Sequence, residues 1–261
     1  MGAGPLRLLE AGLVDRLATA GCPTRVSMVE TSSTLWPTEI GAAFDLARQV
    51  AARVAEALSP GTFPLILSGN CLPAALGAIA GAGDPARVVW FDAHGDFNTP
   101  ESTVSGFLDG MALATITGHC WRALTATIDG FSIVPETDVT LVGARDLDPL
   151  EAKALGESEI AQLSLHSVAD TASPGVTRKR STYLHLDLDV LDPLEGAMNG
   201  YAVPGGITRS QLNEALHAIV GRGHVRVASV TAFDPAVDRS NSSLDAALSV
   251  CAELVRLAQT E

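Results

Sequence analysis

Apolar residues gather in six short runs along the chain: Arg25–Val29, Phe63–Leu67, Val88–Asp92, Val139–Val142, Thr182–Leu188 and Val225–Phe233. Each is rich in valine, isoleucine, leucine or threonine, and most are apolar on both faces. Apolar side chains on both faces predict strands covered on both sides, as in a parallel sheet between helices. Helix-like segments separate the runs: Glu39–Leu58, Pro73–Ala80, Gly110–Ile116, Arg209–Val220 and Leu244–Ala258. Thr208, followed by Ser210–Gln211 and an apolar run, reads as a helix start, and Gly221 and Gly223 as its stop. Residues 57–83 carry no charge over a length that could span a bilayer. Pro60, Pro64, Pro73 and Asn70 within them would strand backbone groups in lipid, so strand, turn and buried helix is the expectation. No internal repeat or low-complexity linker interrupts the alternation. It predicts one α/β domain over residues 1–261, in three layers (α/β/α) with a mostly parallel sheet. In such sheets the ligand site lies beyond the carboxyl ends of the strands, at a topological switch point.

Composition narrows the function. Hydrophobic residues make up 47% of the 261, enough for a large core. Seventeen basic against thirty acidic side chains give a net charge of −13. Such a surface repels phosphate backbones and anionic lipid, so neither nucleic acid nor membrane is an expected partner. Four scattered cysteines (Cys22, Cys71, Cys120 and Cys251) form neither a disulfide framework nor a CxxC zinc site. The charged N-terminal stretch lacks the apolar block of a signal peptide, and a cytoplasmic protein is expected.

Two segments carry the chemistry. VVWFDAHGDFN places Asp92, His94 and Asp96 directly after an apolar strand, and YLHLDLDVLDP places Asp187 and Asp189 at another strand's end, with Asp192 beyond. Alternate side chains of extended backbone share a face, so each segment can aim its acidic groups at one point. Left empty, that cluster would be strongly self-repelling; one divalent cation, or two sharing carboxylates, removes the repulsion. Mixed carboxylate and imidazole donors suit manganese or another first-row ion.

These segments resemble the ureohydrolase family of arginases, agmatinases and their relatives. DAHGD (92–96) is similar to the family's DAHxD signature, and HLDLDVLDP (185–193) to its SxDxDxxDP signature. SGNCLPAALGAI (68–79) sits where the family has GGDHS, and TPESTVSGFLDGM (99–111) resembles the arginase TP…TSGNLHG loop. VGARDLDPLE (142–151) resembles GLRDVDPxE, PGGITRSQ (204–211) resembles GGLTxRE, and GPLRLLEAGL (4–13) resembles the first family helix. A strand usually precedes that helix, so the sheet is expected to lack the usual first strand unless the start lies upstream.

The resemblance implies two manganese ions activating a bridging water for attack on a guanidinium-like carbon, with urea the usual product. Asp92 and Asp187 would bridge the ions, His94 and Asp189 would complete one, and Asp96 and Cys71 would bind the other. Asp96 would also orient the attacking water. Asn98, Thr103 and Ser105 fall on positions that contact an α-carboxylate, and Asp148 on one serving an α-amino group. A guanidino-type α-amino acid, arginine or hydroxyarginine, is therefore the expected small-molecule substrate, and a homotrimer or hexamer the expected assembly.

Three residues depart from the pattern. Cys71 replaces the histidine of GGDHS; its thiolate is softer than imidazole and favours zinc over manganese, so one site is expected to be weak or to take another metal. Hydroxyarginine-type relatives also carry cysteine there. Asp109 replaces a histidine proposed to shuttle protons, and could donate a proton only with a raised pKa. Ala232 replaces the glutamate that clamps the guanidinium, removing a contact typically worth ~1.5–3 kcal/mol. Two other readings stand beside the hydrolase: a metal-binding relative with impaired turnover, and a Cys71-nucleophile amidinase with His94 or His185 as base. His119, His166, His217 and His224 are read as surface or core residues, and Arg145 as an anchor for neighbouring carboxylates.

Overall fold

The computed structural model describes residues 1–31, 34–83, 87–164, 181–220 and 224–259. Six strands pair in parallel throughout: β1 (Leu65–Leu67), β2 (Arg87–Phe91), β3 (Val139–Val142), β4 (Ala161–Leu163), β5 (Ser181–Asp187) and β6 (His224–Thr231), in the order β1-β6-β5-β2-β3-β4. After β2 the chain adds β3 and β4 on one side, then returns to place β5 and β6 on the other. The order therefore reverses between β2 and β5, and the crevice above their carboxyl ends is where an open α/β sheet binds ligand.

Nine helices are described: α1 (Gly4–Glu10), α2 (Leu13–Thr19), α3 (Glu39–Ala57), α4 (Cys71–Ala82), α5 (Ala112–Ile116), α6 (Arg122–Thr125), α7 (Pro149–Glu157), α8 (Arg209–Val220) and α9 (Ser242–Ala258). Strand side chains alternate between two cores. Val89, Phe91, Leu184 and Leu186 pack with α1, α2, α8 and α9, whereas Val88, Trp90, Tyr183 and Val227 pack with α3, α4 and α5. Cover on both faces explains why β2 is buried at every position and why its sequence shows no polar alternation.

The charge-free stretch resolves into β1 and α4, with α4 buried on all sides. Gly77 lets α4 lie against α3, since a Cβ there would meet Val50 at 2.5 Å. No described helix is long and apolar enough to cross a membrane. α8 starts where expected, and Thr208 and Gln211 cap it reciprocally: the Gln211 amide donates to Thr208 Oγ1 at 3.2 Å, and Gln211 Oε1 accepts from the Thr208 amide at 2.9 Å. Gly221 and Gly223 lie outside the described residues.

Arg25–Val29, expected as a strand, joins no ladder among the described residues. Val26 and Met28 are 45% and 53% exposed, so the run buries no face that could hold it to the sheet. Conversely, β4 carries no strand signal in the sequence, because Ala161 and Gln162 are exposed and only Leu163 is partly covered at this sheet edge. The run to Phe233 stops as a strand at Thr231, because Ala232 turns into the left-handed region at φ +63°.

Candidate metal centre and active site

The register brings the acidic groups together. Trp90 lies opposite His185 and Phe91 opposite Leu186, so Asp92 and Asp187 follow as the next positions of adjacent strands. Thr231 stands opposite Asp187 on the other side. The 3₁₀ turn Leu188–Val190 then carries Asp189 back over β2, where its Oδ1 accepts from the Ala93 amide at 3.1 Å. Asp187 Oδ1 caps that turn through the Asp189 amide at 2.8 Å.

Two groups of donors result, each with its ligand atoms within 4.8 Å of one another, and both include Asp92. One is Asp92, His94 and Asp189. His94 Nδ1 lies 3.2 Å from Asp92 Oδ1 and 3.3 Å from Asp189 Oδ2, and the His94 amide donates to Asp92 Oδ1 at 2.7 Å. The other is Cys71, Asp92 and His185. Cys71 opens α4 beneath the strand ends, its thiol donating to Asp187 Oδ2 at 3.2 Å and lying 3.2 Å from Thr231 Oγ1. Asp96 is buried at φ +49°, a strained conformation for a non-glycine residue, and its Oδ2 has no partner. A buried carboxylate oxygen without a donor is costly unless a cation completes it. Carboxylate, imidazole and thiol donors around this orphaned atom fit a pair of divalent ions.

The electrostatics agree. Burial, then repulsion from Asp189, raises Asp92 to about 6 despite its hydrogen bonds from His94. Burial and the charges of their carboxylate neighbours push Asp187 and Asp96 well up. Burial opposes charge on His94, but hydrogen bonds and charges from Asp189 and Asp92 outweigh it and raise the imidazole to about 12. Asp189, with burial overcome by His94, falls to about 2. The surrounding carboxylates thus favour positive charge at this point, which a bound cation would supply in place of the His94 proton.

The supports were partly hidden in the sequence. Glu151 at the start of α7 accepts from the Phe97 amide at 2.9 Å and the Asp148 amide at 3.2 Å, holding the DAHGD loop against α7. Gly95 is required there, because a Cβ would approach Glu151 Oε1 to 2.7 Å. Asn199 Nδ2 donates to Asp189 Oδ2 and to the Ala232 carbonyl, both at 3.1 Å. Arg145 binds carbonyls rather than the expected carboxylates: those of Asp189 and Val203 at 2.9 Å, Pro204 at 3.2 Å and Gly143 at 3.3 Å. Tyr201 stacks on Phe107 at 5.4 Å and sits edge-on to His94 at 6.5 Å, placing two aromatic rings beside the centre. Neither ring carried a sequence signal.

Of the expected substrate residues, Asn98 and Asp148 meet: Asn98 Nδ2 donates to Asp148 Oδ2 at 3.2 Å. Thr103 and Ser105 accept from the Gly106 and Phe107 amides within their own exposed turn, at 3.1 Å each. Asp109 is engaged by the start of α4, accepting from the Leu72 amide at 2.9 Å. Burial raises its pKa, while hydrogen bonds from the Leu72 and Cys71 amides and the Asn70 side chain oppose the rise. His119 and His217 pair with Glu136 and Glu253 away from the centre, and His166 lies outside the described residues.

Comparison with known proteins agrees with this geometry. The Arginase family profile matches residues 17–256. Arginase from Bacillus caldovelox is 33% identical over 220 residues, covering 79% of this chain and 73% of the relative. Arginase from Bacillus subtilis is 32% identical over 208 residues, covering 75% and 69%. The crystal structure of Bacillus subtilis arginase superposes with a TM-score of 0.82 at 28% identity, over 97% of this chain and 91% of the other. Sheet order, strand-end carboxylates and sequence kinship converge: the chain belongs to the arginase family, and is a hydrolase of the ureohydrolase type.

Proposed function

We propose that this protein is a metal-dependent amidinohydrolase that cleaves the linear C–N bond of a guanidino-type α-amino acid, arginine or hydroxyarginine. The observation that carries the reading is Asp92, shared by two donor groups beside the partnerless oxygen of Asp96. Cys71, Asp92, Asp96 and Asp187 would hold one ion; Asp92, His94, Asp187 and Asp189 would hold the other. When bound, two divalent ions, manganese first among them, supply a water acidic enough to act as nucleophile near neutral pH. The Asp96 carboxylate, besides holding an ion, would accept a hydrogen bond from the attacking water and orient it. Asn98 and Asp148 receive the amino-acid head group at the edge of the crevice, with Thr103 and Ser105 supplying hydroxyls from the neighbouring turn. Asp109 acts here as a positioning residue, setting the start of α4 and hence Cys71; a proton-donating role would require it to release its amide contacts. A homotrimer or hexamer in the cytoplasm accords with the family resemblance.

The Cys71-nucleophile reading fares worse. Burial first, then Asp109, Asp187, Asp96 and Asp92, push the thiol well above its ordinary value, the reverse of an activated nucleophile. The deciding experiment measures urea or hydroxyurea release from a guanidino panel after chelation and after reloading with manganese. Chelation should abolish turnover and reloading restore it; undiminished turnover by metal-free protein would overturn the reading.

A further inference from the structure

The arginase-type signature places serine at the first position of SxDxDxxDP, and this chain places His185 there; the GGDHS histidine, in turn, is Cys71. The two exchanges face each other in space. His185 is fully buried, stacked on Trp90 with ring centroids 3.6 Å apart and planes 12° from parallel. Its Nδ1 is engaged by Tyr183 Oη at 2.7 Å and Ser229 Oγ at 2.9 Å. That leaves Nε2, 3.3 Å from Thr231 Oγ1, the hydroxyl that also touches Cys71 Sγ. Imidazole, thiol and the Asp92 carboxylate offer ligand atoms within 4.8 Å of one another. A ligating histidine has its other ring nitrogen fixed by an outer hydrogen-bond partner, and here the Tyr183 and Ser229 hydroxyls take that place.

We propose that His185 is a metal ligand, forming with Cys71 and Asp92 a sulfur–nitrogen–oxygen site that selects zinc or cobalt(II) over manganese at one of the two positions. This rests on the two-ion reading above and deepens it. The Cys71 thiol releases its proton to solvent as sulfur takes the ion, and Asp92 remains the link to the harder site of His94 and Asp189. The exchange moves one imidazole from the helix start to the strand end, and the sulfur replacing it changes the preferred metal.

The test is a titration of the full chain with cobalt(II), zinc and manganese, followed by absorption spectroscopy and calorimetry. Wild type should bind two cobalt ions, one with a thiolate-to-cobalt charge-transfer band; zinc should displace that ion and manganese should not. Cys71→Ser should lose the band. His185→Gln should keep it but weaken that ion by about tenfold or more. Should His185→Gln fail to fold, X-ray absorption on zinc-loaded His94→Asn keeps the question open to decision, because His185 is then the imidazole remaining at the centre. Sulfur at about 2.3 Å together with imidazole scattering is expected. Two bound ions with no sulfur or no imidazole at the zinc, or unchanged binding in His185→Gln, would overturn the His185 assignment alone. Absence of any metal binding by wild type would instead sink the two-ion reading.

Discussion

The carboxylate of Asp109 reaches across from the turn before α5 to accept the Leu72 amide at 2.9 Å, so the helix that begins with Cys71 is capped by a residue 37 positions away. Asn70, the local cap residue, makes no side-chain cap of its own. A negative charge at a helix N-terminus also suits the helix dipole.

Capping and proton transfer make opposite demands on Asp109. Asp109→Ala should cost about 0.5–2 kcal/mol of stability, the usual value of a lost N-cap. Asp109→Asn, whose amide oxygen still accepts, should recover most of that and retain most of kcat. Urea unfolding and a kcat–pH profile read the two roles separately; a collapsed kcat in a stable Asp109→Asn protein would restore the proton shuttle.

Ion uptake should be pH-dependent in a defined direction. Asp92 is raised to about 6, and burial among carboxylates pushes Asp96 and Asp187 well up too, so the metal-free chain holds on to protons that a cation must displace. Affinity should therefore rise from pH 6 to pH 8, with proton release on binding. The sign for folding runs the same way. Carboxylates whose folded pKa values are raised favour the metal-free fold at low pH and lose that contribution as pH rises through them. The gain in Tm on adding metal should thus be larger at pH 8 than at pH 6, as scanning calorimetry in matched buffers would reveal.

Glu151 holds two backbone amides, of Phe97 and Asp148. Glu151→Ala leaves both without their acceptor, at about 1–3 kcal/mol each where water cannot replace it. Denaturant midpoints should fall accordingly. Manganese affinity should fall too, because the DAHGD loop loses its backing.

Restoring a carboxylate by Ala232→Glu should raise kcat/KM for arginine by roughly 10- to 150-fold, the equivalent of ~1.5–3 kcal/mol for a charged hydrogen bond. Unchanged kinetics in a folded variant would place the guanidinium away from this strand end. For head-group recognition, arginine or hydroxyarginine should outcompete agmatine, and Asp148→Ala should narrow that preference.

Much of this was legible in the chain. DAHGD and HLDLD announced the centre because aspartates directly after apolar strands have few other ways to be tolerated, and the burial of β2, β3 and β5 on both faces showed as apolar residues without strict alternation. What stayed hidden depended on distant partners. Nothing around residue 199 shows that its amide ties Asp189 to the Ala232 carbonyl. Asp109 reads as a substituted histidine until the start of α4 is seen against it. His185 read as an alternative base, since only the fold reveals that Cys71 is its neighbour. The misplaced strand at 25–29 shows the converse limit: β-forming residues make a strand only where an edge is free and a face is covered.

Arg145 grips main-chain oxygens of three separate segments, at Gly143, at Asp189 and at Val203–Pro204. Because the acceptors are backbone, side chains in those segments are free to diversify without loosening the grip, whereas no change at position 145 itself preserves it. Mutational tolerance at this rim should therefore be lopsided: permissive in the Val203–Pro204 segment, which can be varied to reshape specificity, and closed at the one guanidinium that ties it to the strand ends.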